Sequence, residues 1–108
     1  VTPAAAISML DRQIRDHGED VKLRAQDAAD DGSQDIARRA FVRDYRPGEL
    51  SGGIEQGDRE VILSPTGLEA DPQRLGGLFV GDRYCTIEFA NPVRLASVVV
   101  RWNLQVRG

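Results

Sequence analysis

The chain is poor in the residues from which most reactive sites are built. It holds one cysteine, Cys85, one histidine, His17, and one tryptophan, Trp102. A single cysteine excludes an internal disulfide and fits a reducing compartment. One Cys and one His cannot supply the ligands of a structural zinc site. Long apolar runs are also missing. Val98 to Val100 is interrupted at once by Arg101, far short of the roughly 18 residues that span a bilayer as a helix. Residues 1–10 carry no basic stretch and do not read as a signal peptide. Lysine is nearly absent, with Lys22 alone beside thirteen arginines. Acidic residues outnumber basic ones by 17 to 14, for a net charge of −3, and the pI is near 5.1. Sequence-blind DNA binding, which needs an excess of positive charge, has no basis here. There is no GxGxxG and no Walker sequence, and Gly52-Gly53 does not stand between a strand and a helix.

What is present is the composition of one globular domain. The chain has 108 residues, 41% of them apolar and 29% charged, and halves of it would be too small to bury separate cores. The arginine bias has two readings. Planar, weakly hydrated guanidinium groups suit protein interfaces. GC-rich coding produces the same bias, and eleven alanines and eleven glycines fit it too. On composition alone, coding is the simpler account.

Residues 1–18 read as an amphipathic helix. Thr2 can cap it, Pro3 suits its first position, and Gly18 ends it. Ile7, Leu10 and Ile14 form one apolar stripe with Met9 at its edge, opposite Asp11, Arg12 and Arg15. The stripe requires a surface, either the chain's own domain or a neighbouring subunit, and the first is expected. Residues 19–108 form the body. Val21, Leu23 and Ala25 alternate with Lys22, Arg24 and Gln26 as a half-buried strand. A turn is expected over 27–33, centred on Asp31-Gly32. A second strand runs over 35–45, with Arg39, Phe41, Arg43 and Tyr45 on one face. Neither of its faces is cleanly apolar, so a covering partner or a bulge is expected. Residues 46–58, RPGELSGGIEQGD, read as a long flexible loop without structure of its own. A short strand over 59–64 ends at Pro65, and 66–77 is irregular. Cys85, Ile87 and Phe89 share a face of the next strand, which Asn91-Pro92 should break. The last strand spans 97–107 with Val98, Val100, Trp102, Leu104 and Val106 on one face. The expected fold is mainly β: a small antiparallel β-barrel or sandwich with an N-terminal amphipathic helix and long loops.

Candidate chemistry is sparse. His17 sits at a helix C-terminus, where a cation is favoured. Cys85 reads as a small core residue. Asp27, Asp30 and Asp31 lack the sixth-position glycine and closing glutamate of a calcium loop. Phe41 and Tyr45 beside Arg39 and Arg43 are the sole arrangement resembling a base-stacking platform, and net charge opposes that use.

Several segments resemble bacteriophage head–tail joining proteins. Asp16-His17-Gly18-Glu19-Asp20-Val21-Lys22-Leu23-Arg24 is similar to the entry into that family's first strand. Val42-Arg43-Asp44-Tyr45-Arg46-Pro47-Gly48-Glu49-Leu50, then Gly52-Gly53-Ile54 and Gly57-Asp58, looks like its central loop. Val61-Ile62-Leu63-Ser64-Pro65-Thr66 resembles the next strand. Asn91-Pro92-Val93-Arg94 and Val100-Arg101-Trp102-Asn103-Leu104-Gln105-Val106-Arg107-Gly108 resemble the last two strands. The likeness covers most of the chain except 70–83. It implies a small β-barrel or sandwich without cofactor or catalytic residues. It also implies a head-completion (stopper) protein that forms a homo-oligomeric ring beneath the portal. Its partners would be the portal or adaptor protein and the tail-completion protein. Packaged DNA would pass through without specific binding, and no membrane would be involved. The expected setting is the virion, and the bacterial cytoplasm during assembly. The expected interface residues are Arg39, Arg43, Tyr45, Arg46, Glu49, Leu50, Ile54 and Asp58. Rival readings are a neck adaptor or tail terminator, a β-barrel nucleic-acid binder, and a small hydrolase using His17 and Cys85.

Overall fold

The computed structural model describes residues 2–25, 35–50, 52–68 and 71–108. The turn expected over 27–33, with its three aspartates, lies outside the described residues.

Helix α1 spans Pro3–His17. The Thr2 hydroxyl accepts the Ala5 amide at 3.1 Å, and the Gly18 amide closes the last turn on the Ile14 carbonyl at 2.7 Å. Six strands come after it: β1 Glu19–Arg24, β2 Ile36–Asp44, β3 Arg59–Leu63, β4 Gly77–Val80, β5 Arg83–Leu95 and β6 Val98–Arg107. All pairings are antiparallel, and the order β1-β2-β3-β6-β5-β4 closes into a barrel because β4 also pairs with β1. Closure removes the open edges that a sheet of this size would otherwise present along its paired length.

Alternation explains the core. Val21 and Leu23 of β1, Val61 and Leu63 of β3, Leu78 and Val80 of β4, and Trp102, Leu104 and Val106 of β6 all point inward and are buried. Cys85 and Ile87 of β5 join them. The apolar stripe of α1 packs on the chain's own barrel, against β6 and β2, with Ile14 fully covered. Gly18 makes this approach possible. A Cβ there would lie 2.5 Å from the Ile14 carbonyl oxygen and 2.9 Å from that of Ala40.

Three expectations need correction. The stretch expected to be irregular contains the start of β4, because Gly76-Gly77 masks a strand only four residues long. Asn91-Pro92 does not break β5, and Pro92 stays in register opposite Trp102. β4 pairs with β5 only as far as Thr86, so Pro92 lies where a missing N–H costs no second ladder bond. The expected apolar faces of β5 and β6 are each interrupted by a register shift, between Ile87 and Phe89 and between Val93 and Arg94. Each shift inserts one residue, Glu88 on β5 and Val100 on β6, and reverses the alternation beyond it. Phe89 is therefore turned outward and Ala90 inward. Val99 packs against the core while Val98 is exposed.

Candidate interaction site

Residues 46–58 connect β2 to β3 and are tied down at both shoulders. The reading of a flexible, structureless loop is replaced by a one-turn 3-10 helix, Pro47–Glu49, and two arginine clamps.

The first clamp is Arg43 on β2. Its guanidinium donates to both carboxylate oxygens of Glu49 at 3.1 and 3.0 Å, and its Nε donates to Glu60 of β3 at 2.9 Å. Glu49 turns back to accept the Arg46 amide at 2.8 Å. The Arg43 guanidinium also lies 5.4 Å from the centre of the Tyr45 ring. Hydrogen bonds from Arg43 hold the Glu49 carboxyl down to about 2, while the paired carboxylates raise Arg43. Burial pushes the Tyr45 phenol up.

The second clamp centres on Asp58, which is 2% exposed. Arg107, on β6, donates Nε to Asp58 Oδ1 at 2.8 Å and a terminal nitrogen to Oδ2 at 2.9 Å. Gln105 donates to the same Oδ2 at 2.9 Å and to the Gly53 carbonyl at 3.1 Å. Arg107 reaches that carbonyl too, at 3.0 Å, and Glu88 at 3.0 Å. The Glu55 amide completes the carboxylate's shell at 2.9 Å. The bonds from Arg107 dominate in holding the Asp58 carboxyl down to about 2. Gly53 and Gly57, at φ +96° and +95°, supply the left-handed turns that lay the chain over the outer face of β6.

This network places the sequence-derived candidates unequally. Arg43, Tyr45, Arg46 and Glu49 meet at the first clamp. Leu50 and Ile54 are half-buried on the loop. Asp58 does not face a partner: it is an internal anchor, because a buried carboxylate must spend its lone pairs on local donors. Arg39 belongs elsewhere, bonded to Asp20 at 3.0 Å and to the Gly18 carbonyl. Gln105, Arg107, Glu88 and Glu60 escape sequence reasoning. Their only signal is polarity between core residues, which any solvent-facing position shares.

Beside the loop, Tyr45, Asp58, Arg59, Arg83 and Arg107 line an open groove of about 610 Å3. Its charges of both signs suit a protein surface better than a single small anion. Cys85 is buried in the barrel with its thiol 4.0 Å from the Arg83 carbonyl, and His17 is exposed at the end of α1. Among the described residues no group of three His, Cys, Asp or Glu side chains is arranged to hold a metal. The protein is thus a closed six-stranded β-barrel with one docked helix and a clamped, outward-facing loop. No family model, curated protein or solved structure matches the chain.

Proposed function

We propose that this chain is a structural protein of the neck of a tailed bacteriophage or prophage, joining the DNA-filled head to the tail as a ring beneath the portal. One observation carries the reading. The two segments that resemble head–tail joining proteins most strongly, 42–58 and 100–108, lie far apart in sequence but meet in one hydrogen-bond network around Asp58 and Arg107. The resemblance therefore falls on residues that act together to hold the loop in place. A loop held before assembly needs less ordering when it meets a neighbour, which favours association. The barrel supplies a rigid support, and net negative charge suits a passage through which DNA moves without adhering.

In this role the exposed side of 46–58 contacts the next subunit or narrows the channel. Deleting 50–56 is not a clean test, because it removes the Gly53 and Glu55 contacts of the second clamp. Gly48 and Gln56 are better positions. Both are exposed, and a Cβ at Gly48 meets nothing within 4 Å. Gly48→Trp and Gln56→Trp should keep the wild-type melting temperature and lower the yield of joined particles when each is added to DNA-filled heads and tails. Unchanged joining by both variants would remove the loop from the proposed interface.

A further inference from the structure

A second surface lies away from the clamped loop, beyond the opposite end of β3. β3 pairs with β6 only as far as Leu63 opposite Trp102, whereas β5 and β6 stay paired out to Leu95 opposite Val98. The excess length forms a two-stranded arm, closed by Ala96 and Ser97. α1 runs beside it. Met9, Leu10 and Gln13 face Val93, Val100 and Arg101 across an open groove of about 330 Å3. The apolar rim is in water: Met9 is 56% exposed, Val98 45% and Leu95 37%. Apolar groups gathered on the two elements of one groove mark an interaction surface more often than the same groups scattered singly.

Charge identifies what the groove would accept. Elsewhere the arginines are engaged: Arg24 with Asp35, Arg39 with Asp20, Arg43 with Glu49 and Glu60, and Arg107 with Asp58 and Glu88. Arg12 on α1, Arg94 on β5 and Arg101 on β6 have no carboxylate within ion-pair distance among the described residues. The carboxylates of α1 are already occupied, Asp11 by the Thr66 hydroxyl and Asp16 by Arg15. An acidic chain thus keeps three unneutralised arginines on the elements that frame its apolar groove.

We propose that the groove between α1 and the β5–β6 arm docks an acidic amphipathic segment of a partner protein. Its apolar side chains would sit on Met9, Val93 and Val100, and its carboxylates would meet Arg12, Arg94 and Arg101. Nucleic acid fits less well, since the floor is apolar and the chain's net charge is repulsive. A two-fold contact with a second copy would set these arginines against one another.

The test uses the full chain and two labelled helical peptides with the same leucine spacing, one with glutamate and one with lysine at the remaining positions. Fluorescence anisotropy should show the Glu/Leu peptide binding at micromolar levels, weakening several-fold as salt rises from about 50 to about 300 mM. The Lys/Leu peptide should not bind. Arg94→Glu with Arg101→Glu should weaken binding by about tenfold or more, and Met9→Ser should also weaken it. Arg12→Glu with Arg94→Glu, both on exposed side chains, repeats the charge test should Arg101→Glu disturb folding. Equal binding of the two peptides, no binding of the Glu/Leu peptide at about 1 mM, or indifference to the charge reversals would overturn the proposal. Self-association in sedimentation velocity that Val98→Asp disperses would overturn it too, because a second copy would then be the occupant. None of these outcomes depends on a role in the phage neck.

Discussion

Asp58→Asn is the most informative single change, because it removes a charge and almost no volume. The carboxylate accepts from Arg107 Nε and a second Arg107 nitrogen, from Gln105 and from the Glu55 amide. An asparagine keeps one oxygen and sets an NH2 group against the remaining donors. Rotating the Gln105 amide would relieve that clash but give up its bond to the Gly53 carbonyl. Removing one partner of a fully buried ion pair costs about 3–5 kcal/mol. Here the Arg107 side chain is 35% exposed, so its guanidinium recovers water. We expect a loss of about 2–3 kcal/mol, consistent with hydrogen bonds to a charged group. For a chain of 108 residues, about 4 °C per kcal/mol is expected from the usual unfolding entropy, so the melting temperature should fall by about 10 °C. The pH dependence carries its own sign. Asp58 titrates at about 2 in the fold against an ordinary 3.8. The unfolded chain therefore takes up the proton first, and the stabilisation is complete above the ordinary value and lost as pH falls through the folded one. The gap between wild type and Asp58→Asn, monitored by circular dichroism, should be full at neutral pH and close between about pH 4 and pH 2. A gap below about 2 °C at neutral pH, or one as wide at about pH 2, would refute the reasoning.

Trp102→Ala should cost about 3–5 kcal/mol, because the indole is buried at the barrel wall opposite Leu63 and Pro92; chemical denaturation measures it. Ala96 and Ser97 close the β5–β6 arm at φ +50° and +67°, a left-handed pair suited to Asn-Gly. Ala96→Asn with Ser97→Gly should raise stability by about 1 kcal/mol or more, read as a higher melting temperature. Arg43→Ala should cost under about 1 kcal/mol, since the side chain is 42% exposed. It should nonetheless speed hydrogen exchange at the Glu49 and Leu50 amides, which close the 3-10 turn.

Elements with strong local signals are legible in the sequence. Thr2, Pro3 and Gly18 mark α1, and unbroken alternation marks β1 and the inner half of β6. Errors begin where one residue shifts the register. Glu88 and Val100 look like ordinary members of their strands, yet each reverses the facing of the residues beyond it, which is why alternation alone puts Phe89 in the core. The anchoring of 46–58 is illegible for another reason. Its composition is that of a mobile loop, and the restraint comes from β6, 49 residues from Asp58 in the case of Arg107. A contact at that separation has no local pattern, although each of its ends is recognisable as a segment of its own.

The central claim is the joining role, and adding the purified protein to DNA-filled heads made without it tests that claim most directly. With tails then supplied, the account predicts that joined, infectious particles appear in proportion to the protein added. Heads that stay unjoined and lose their DNA, in the presence of folded protein, would contradict it.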